Sequence, residues 1–295
     1  FTVWLFPYSQ WLDTILPCTL FAVCSVLSGS VLGLPNPPLY TGLVEFYCRT
    51  ISCRTTLAML WLWLAMLQFC LHNQRRPESI EEDRINKPWR PLPSGRISIE
   101  GVNRILLLTY VAISWLSFQL GVMVHLVVFT IAVFWYNDFG GSDRSGLYRN
   151  FLNATGYSCL FSAPLRILIG LNQPMKLTDR ANLWTAIMVL VIFSTIHAQE
   201  YRDEEGDQVR GRRTILTSIG NTWSRMVLIA FVMFWSSFAQ VWLQLTFGSL
   251  MTWLLGFYTI SLTLFGINGR TVHLDKRLYK AWSCWLLSFS VLPLM

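Results

Sequence analysis

Charge is what this sequence has least of. Asp, Glu, Lys and Arg make up 13% of its 295 residues, about half the share of an ordinary soluble domain, while 53% of residues are hydrophobic. That shortage excludes a conventional water-soluble globule and places most of the chain in lipid. Basic tracts interleaved with aromatics on a polar face are also absent, so the net charge of +7 does not point to nucleic acid. No charge block or low-complexity stretch marks a linker, and residues 1–295 read as one membrane domain. The seven cysteines (18, 24, 48, 53, 70, 159 and 284) are odd in number and lack zinc or redox spacing. They read as small buried hydrophobes, with only Cys48 and Cys53, flanking one polar connection, placed to pair. No methionine precedes Phe1, so the chain is expected to start inside a longer protein.

What is abundant is apolar length. A crossing helix takes roughly 20 apolar residues, and nine apolar runs occur, at approximately 12–33, 53–71, 103–119, 121–136, 151–170, 182–198, 221–242, 246–266 and 278–294. The expected fold class is all-α, a polytopic bundle of about nine transmembrane helices. The third and fourth runs, and the seventh and eighth, are separated so briefly that each pair should form a tight antiparallel hairpin. Of the 23 Lys and Arg, 18 lie in or beside the second, fourth, sixth and eighth connections, which makes those connections cytoplasmic. The sequon Asn153-Ala-Thr155 then falls on the cytoplasmic side and should stay unmodified.

Acid is concentrated too: ten of the 16 acidic residues sit in two of those connections, five between 78 and 100 and five between 200 and 207. Mixed acid and base at the ends of membrane helices marks a candidate site more readily than a plain loop. In HAQEYRDEEGDQVRGRRT (197–214), Asp203 and Asp207 are four apart on one helical face, with Gln199 a turn earlier. Paired like charges weaken a helix unless a cation holds them, and magnesium uses one or two carboxylates with water and phosphate filling its octahedron. Arg210, Arg212 and Arg213 stand ready for phosphate oxygens, and Gly206 and Gly211 would let backbone turn and approach an anion. In HNQRRPESIEEDRINKPWRPLPSGR (72–96), Glu78, Ser79, Glu82 and Asp83 can share a face. Prolines 88, 91 and 93 then stiffen the segment that carries Lys87 and Arg90. Together the two clusters suggest a magnesium and diphosphate site across the bundle.

NKPWRPLPSGR (86–96), RDEEGDQVRGRRT (202–214) and the nine runs resemble the UbiA superfamily of intramembrane prenyltransferases over essentially the whole chain. A weaker echo is Tyr148-Arg149-Asn150 with Gly156-Tyr157, where members often carry a basic residue for the diphosphate. The resemblance implies a UbiA-like helical bundle, lipid-side entry for an isoprenoid tail, and magnesium bridging a prenyl diphosphate to both acid motifs. Its departures matter: counting back from Asp83, Ser79 and Arg75 stand at the family's acid and Asn positions, with Asn73 fitting only if two residues are inserted. Gln199 replaces the first acid of the second motif. This degraded pattern is similar to the fungal UbiA-type membrane-bound terpene cyclases, which ionise a prenyl diphosphate and close the tail on itself.

The metal ligands expected on that basis are Glu82, Asp83, Asp203 and Asp207. The diphosphate contacts are Lys87, Arg90, Arg149 and Arg210, with Asn86 orienting the first motif. A carbocation made by diphosphate loss must be kept from water, and aromatic faces stabilise it by about 1–2 kcal/mol each when desolvated. Trp223, Phe231, Trp235 and Tyr258 are the candidates for that wall. The rival within the superfamily is a prenyltransferase with an aromatic or other small acceptor; a transporter or scaffold on the same fold is the rival outside it. Asn137 and Asp138 read as a helix-terminal pair, and His125 as a packing residue. The host membrane expected from the resemblance is the endoplasmic reticulum, with no nucleic-acid or obligate protein partner; tail length, C15 or C20, stays open.

Overall fold

The computed structural model describes residues 1–34, 52–170, 177–244 and 249–295. Its principal helices are α1 (Leu16–Leu27, entered through a π-helical turn at Trp11–Ile15), α2 (Ser52–Gln74), α3 (Pro77–Asn86), α4 (Ile99–Gln119), α5 (Met123–Asn137) and α6 (Gly146–Ile169). They continue with α7 (Asp179–Thr195), α8 (Glu200–Val209), α9 (Ile215–Leu243), α10 (Leu250–Asn268) and α11 (Val272–Val291). No strand occurs among the described residues, which fold into helices as expected. Cys48 and the possible Cys48–Cys53 pairing lie outside the described residues; the Cys53 thiol is free.

Each apolar run falls on a helix, but the runs differ in kind. Five helices are long and apolar enough to cross a membrane: Cys53–Gln74, Ile99–Gln119, Asp179–Val209, Ile215–Leu243 and Leu250–Asn268. Trp11–Leu27 and Met123–Asn137 are apolar but shorter. α6 and α11 are long yet polar at their starts, where Arg149, Asn150, Asp275 and Lys276 sit. Length and apolarity therefore do not by themselves establish nine spans. The α4–α5 hairpin turns as expected at Gly121, which takes the left-handed conformation (φ 65°). α9 breaks at Gly220 (φ 82°), so it begins as a short separate turn.

Helix starts are written locally. Ser98, Ser145, Thr178, Thr214 and Thr271 each accept a hydrogen bond from a first-turn amide of α4, α6, α7, α9 and α11, satisfying donors that have no partner inside the helix. Between helices, lipid supplies no hydrophobic drive, so packing and polar pins decide the arrangement. α6 is the hub, lying against α1, α2, α5 and α7, while α9, α10 and α11 pack in sequence and α11 returns to α1. Indole N–H groups pin the contacts: Trp61 to Ser117 (2.8 Å, α2–α4), Trp235 to Ser194 (2.8 Å, α9–α7), Trp282 to Thr195 (3.1 Å, α11–α7) and Trp285 to Ser236 (3.0 Å, α11–α9).

A buried ion pair locks the α9–α11 side. Arg225 and Asp275 are 0% and 1% exposed, with Nη2 donating to Oδ1 at 2.5 Å. The guanidinium lies over the bare backbone of Gly266 in α10, where any Cβ would overlap it, and 4.2 Å above the Tyr201 ring. Removing one partner from such a pair costs about 3–5 kcal/mol, whereas replacing both by apolar groups is often neutral. Asp275→Leu is therefore expected to lower the thermal midpoint in detergent well below that of the double variant Arg225→Met/Asp275→Leu. Equal midpoints would show that the pair does not hold the helices.

Candidate functional site

α3 and α8 lie against one another at one end of the bundle, and a glycine permits it. Gly206 is helical rather than the anion-approaching turn expected of it, and a Cβ there would overlap the Asn86 amide and crowd Glu82. Gly211 does take the left-handed conformation (φ 72°), letting the chain turn after α8. Asn86 donates to the Asp203 carbonyl (3.3 Å), tying the end of the first motif to the second.

Around this junction Glu82, Asp83, Asp143, Asp203 and Asp207 each meet a cation. Arg90 Nη1 donates to both Asp83 oxygens (2.7 and 2.8 Å). Lys87 pairs with Asp203 (3.5 Å), which Arg202 also reaches (3.5 Å). Arg149, from the start of α6, donates to Asp207 (3.2 Å) and to the Tyr136 hydroxyl (3.2 Å). Arg212 donates to Asp207 (2.8 Å), Glu82 (3.0 Å) and Asp143 (3.0 Å), and Arg210 to Ser79 (2.6 Å) and Glu82 (3.2 Å). Burial pushes the Lys87 ammonium below its ordinary range, with Asp203 opposing the shift. Burial would raise Asp143, but Arg210 and Arg212 outweigh it and hold its carboxyl below the usual carboxylate range.

Beneath the junction opens a cavity with about 1110 Å³ of empty space, its open mouth included. Its rim carries Lys87, Arg90, Arg149, Arg202 and Arg212 against Asp13, Glu82 and Asp203. Five cations line this one space, so a multiply charged anion entering it would meet several of them at once. Its deeper walls are Met66, Phe69, Phe129, Val133, Tyr136, Tyr157, Leu160 and Trp282. One space thus joins an anion-binding mouth to an aromatic, apolar chamber.

The expected site residues divide around it. Glu82, Lys87, Arg90, Arg149 and Asp203 line the cavity. Asp83, Asp207 and Arg210 do not. Expected on a metal, Asp83 and Asp207 are instead turned to Arg90, Arg149 and Arg212 and stand behind the cations they hold. Arg210, expected on the diphosphate, is held by Ser79, Glu82 and Asp143. The aromatic candidates are corrected outright, because no residue of α9 or α10 lines the cavity. Trp223 and Tyr258 are 69% and 52% exposed and Phe231 36%, on the outer surface of the bundle, while Trp235 is buried against Ser194.

Asp143 went unread, and other residues were named without the partners they meet. Asp143, on a one-turn helix at Gly141–Arg144, braces Arg210 and Arg212 across 67 and 69 residues of chain. Asn137, expected as a helix-terminal cap, is fully buried and accepts from Asn73 (2.9 Å), which lines the cavity. Asp138 pairs with His72 (2.6 Å) and with Arg75 (2.6 Å), the residue standing at the family's Asn position. Ser79, at an acid position, has become the acceptor for Arg210.

Glu82 and Asp203 offer hard oxygen donors from facing helices to one space, which suits magnesium, since that ion needs only one or two protein carboxylates. No cluster of three acids, His or Cys that could cage a metal occurs among the described residues. The donor set therefore fits an ion that shares its remaining ligands with a bound anion and water.

The description "UbiA prenyltransferase family" belongs to the family model that matches residues 37–290. The chain is 28% identical over 245 residues to fumagillin β-trans-bergamotene synthase of Aspergillus fumigatus, covering 80% of this chain and 78% of that protein. It is 27% identical over 241 residues to a polyprenyl transferase of Hericium erinaceus, covering 76% and 70%. A UbiA homologue from Archaeoglobus fulgidus, solved with GPP and Mg2+, superposes over the full length of both chains with a TM-score of 0.60 at 12% identity, a likeness of fold.

Because Asp143 is held below its ordinary range, its contribution to stability is present above the usual carboxylate pKa and is lost as pH falls through the lowered value. Asp143→Asn is thus expected to melt below wild type at pH 7. The gap should close in acid below the usual carboxylate range, and a constant gap from pH 7 to 3 would contradict the ion-pair role.

Proposed function

The chain belongs to the UbiA prenyltransferase family, an integral membrane enzyme acting on prenyl diphosphates, and within that family we propose that it is a terpene cyclase. It ionises a C15 or C20 prenyl diphosphate and closes the resulting carbocation on its own tail. The observation that carries this reading is the continuity of the cation-rich mouth with the aromatic chamber beneath it. Diphosphate sits at the mouth and the tail lies along Phe69, Phe129, Tyr136, Tyr157 and Trp282.

Lys87, Arg90, Arg149, Arg202 and Arg212 neutralise the charge that develops on the departing diphosphate, so the allylic carbon–oxygen bond breaks heterolytically. Asp83 and Asp207 hold Arg90, Arg149 and Arg212 aimed at those oxygens, so their loss misplaces cations even without a direct substrate contact. Magnesium, held by Glu82 and Asp203, would add Lewis-acid withdrawal of charge from the same leaving group. Aromatic faces in the chamber stabilise the cation and its walls exclude water. On this reading the mouth faces the cytoplasm, a side the basic connections favour, and the host membrane is the endoplasmic reticulum.

A second reading rests on a specific feature. Ser9, Gln10, Asp13 and Thr14 give one wall of the cavity a polar surface that an acceptor could use, as a prenyltransferase would require. Incubation with magnesium and C15 or C20 prenyl diphosphate, no acceptor added, separates the two. A cyclic hydrocarbon or alcohol, lost with chelator, is the expected product. Product formed only with an added acceptor would assign prenyl transfer.

The metal assignment has its own check. Asp203→Asn is expected to weaken Mn2+ binding, read by paramagnetic resonance with inorganic diphosphate present, at least tenfold, as loss of one of two ligands requires. Asp207→Asn should weaken it less while reducing turnover at least a hundredfold through Arg149 and Arg212. The reverse order of Mn2+ effects would move the metal to Asp207.

A further inference from the structure

One carboxylate on the cavity wall belongs to neither acidic motif. Asp13 lies in the π-helical turn Trp11–Ile15 that leads into α1, and its side chain lines the cavity together with Arg202 and Asp203. A π turn holds one residue more than an α turn and re-aims the side chains in it, which is how such turns come to serve sites.

Asp13 is set differently from its neighbours. Glu82 is taken up by Arg210 and Arg212, and Asp203 by Lys87 and Arg202. Asp13 instead forms no ion pair among the described residues and shares the cavity wall with Tyr279. That phenol is fixed in turn, because the Arg202 guanidinium lies 3.3 Å above its ring. On the other side the Tyr157 hydroxyl reaches the Asp13 carbonyl (3.4 Å) and the Thr14 hydroxyl (3.0 Å), and Tyr157 is a wall of the apolar chamber. The carboxylate therefore stands at the border between the charged mouth and the chamber where the tail lies.

Resting on the cyclisation reading, we propose that Asp13 is the base that ends the reaction, taking the proton a cyclised carbocation must lose to become a neutral hydrocarbon. The C–H bond beside the cationic carbon breaks, its electron pair becomes the new C=C bond, and the proton passes to the Asp13 carboxylate. The neutral acid returns that proton to diphosphate or water as the products leave. Departed diphosphate is the other base at hand, but five cations at the mouth withdraw its charge and leave it the weaker acceptor. Tyr279 is a positioning residue that keeps the carboxylate turned to the chamber.

Asp13→Asn keeps the shape and cannot accept the proton. With magnesium, C15 or C20 prenyl diphosphate and no acceptor, diphosphate release and extracted products are measured together. In wild type the two should match one to one. In Asp13→Asn the wild-type hydrocarbon is expected to fall about 10²-fold relative to diphosphate released, as loss of a general base predicts. The difference should appear as alcohols or as alkenes with the double bond elsewhere. Tyr279→Phe should shift the products in the same direction by a smaller factor. An unchanged product spectrum in Asp13→Asn overturns the proposal. Equal loss of diphosphate release and hydrocarbon overturns it as well, by assigning Asp13 to folding or ionisation. A wild type that releases no diphosphate without acceptor removes the cyclisation reading and this proposal together, an outcome distinct from either variant result.

Discussion

Charge buried among membrane helices must be matched at short range, and the functional end of this protein is built around that demand. Asp83, Glu82, Asp207, Arg90, Arg149 and Arg212 are all at most 7% exposed. Withdrawing each ion from water costs several kcal/mol, recovered only by a close partner of opposite sign. Arg212 meets the demand three times over, reaching Glu82 on α3, Asp207 on α8 and Asp143 ahead of α6. Separating these elements would strand charge in a poorly solvated place, so the helices stay together and the rim of the cavity keeps its form.

The same rule operates where no chemistry is expected. Arg225 and Asp275 join α9 to α11, and His72, Asp138 and Arg75 join the ends of α2 and α5. Farther along the helices the pins are milder, an indole N–H to a Ser or Thr hydroxyl at four interfaces. Charged locks at the motif end and neutral pins along the bundle leave a space among the turn before α1 and helices α2, α5, α6 and α11, which is where the cavity forms.

How much of this was readable follows the range of the interactions. Glu82, Lys87, Arg90 and Asp203 were found because each lies within one short polar stretch, where helical spacing and three prolines limit where side chains go. Their neighbours Asp83 and Asp207 were found as acids without the arginines they meet, since spacing along a helix does not say which guanidinium a carboxylate reaches. The aromatic wall was misread for a different reason. Helices α9 and α10 are apolar nearly all round, so no polar face tells lipid side from cavity side, and Trp223, Phe231 and Tyr258 proved to face outward. Asp13 and Asp143 lay outside the recognisable stretches, and nothing local connects Asp143 to Arg210, 67 residues later.

The sequence by itself determined the class of the molecule. Scarcity of charge, long apolar runs and two acid-and-base connections suffice for a helical membrane protein with an anion site at one end, because composition and local periodicity govern helix formation and partition into lipid. Only the tertiary structure decided which acids face the cavity, which brace the arginines, and which aromatics form its wall. Those choices depend on helix rotation and on contacts between residues far apart in the chain, and both are fixed by the pairing of buried charge across helices.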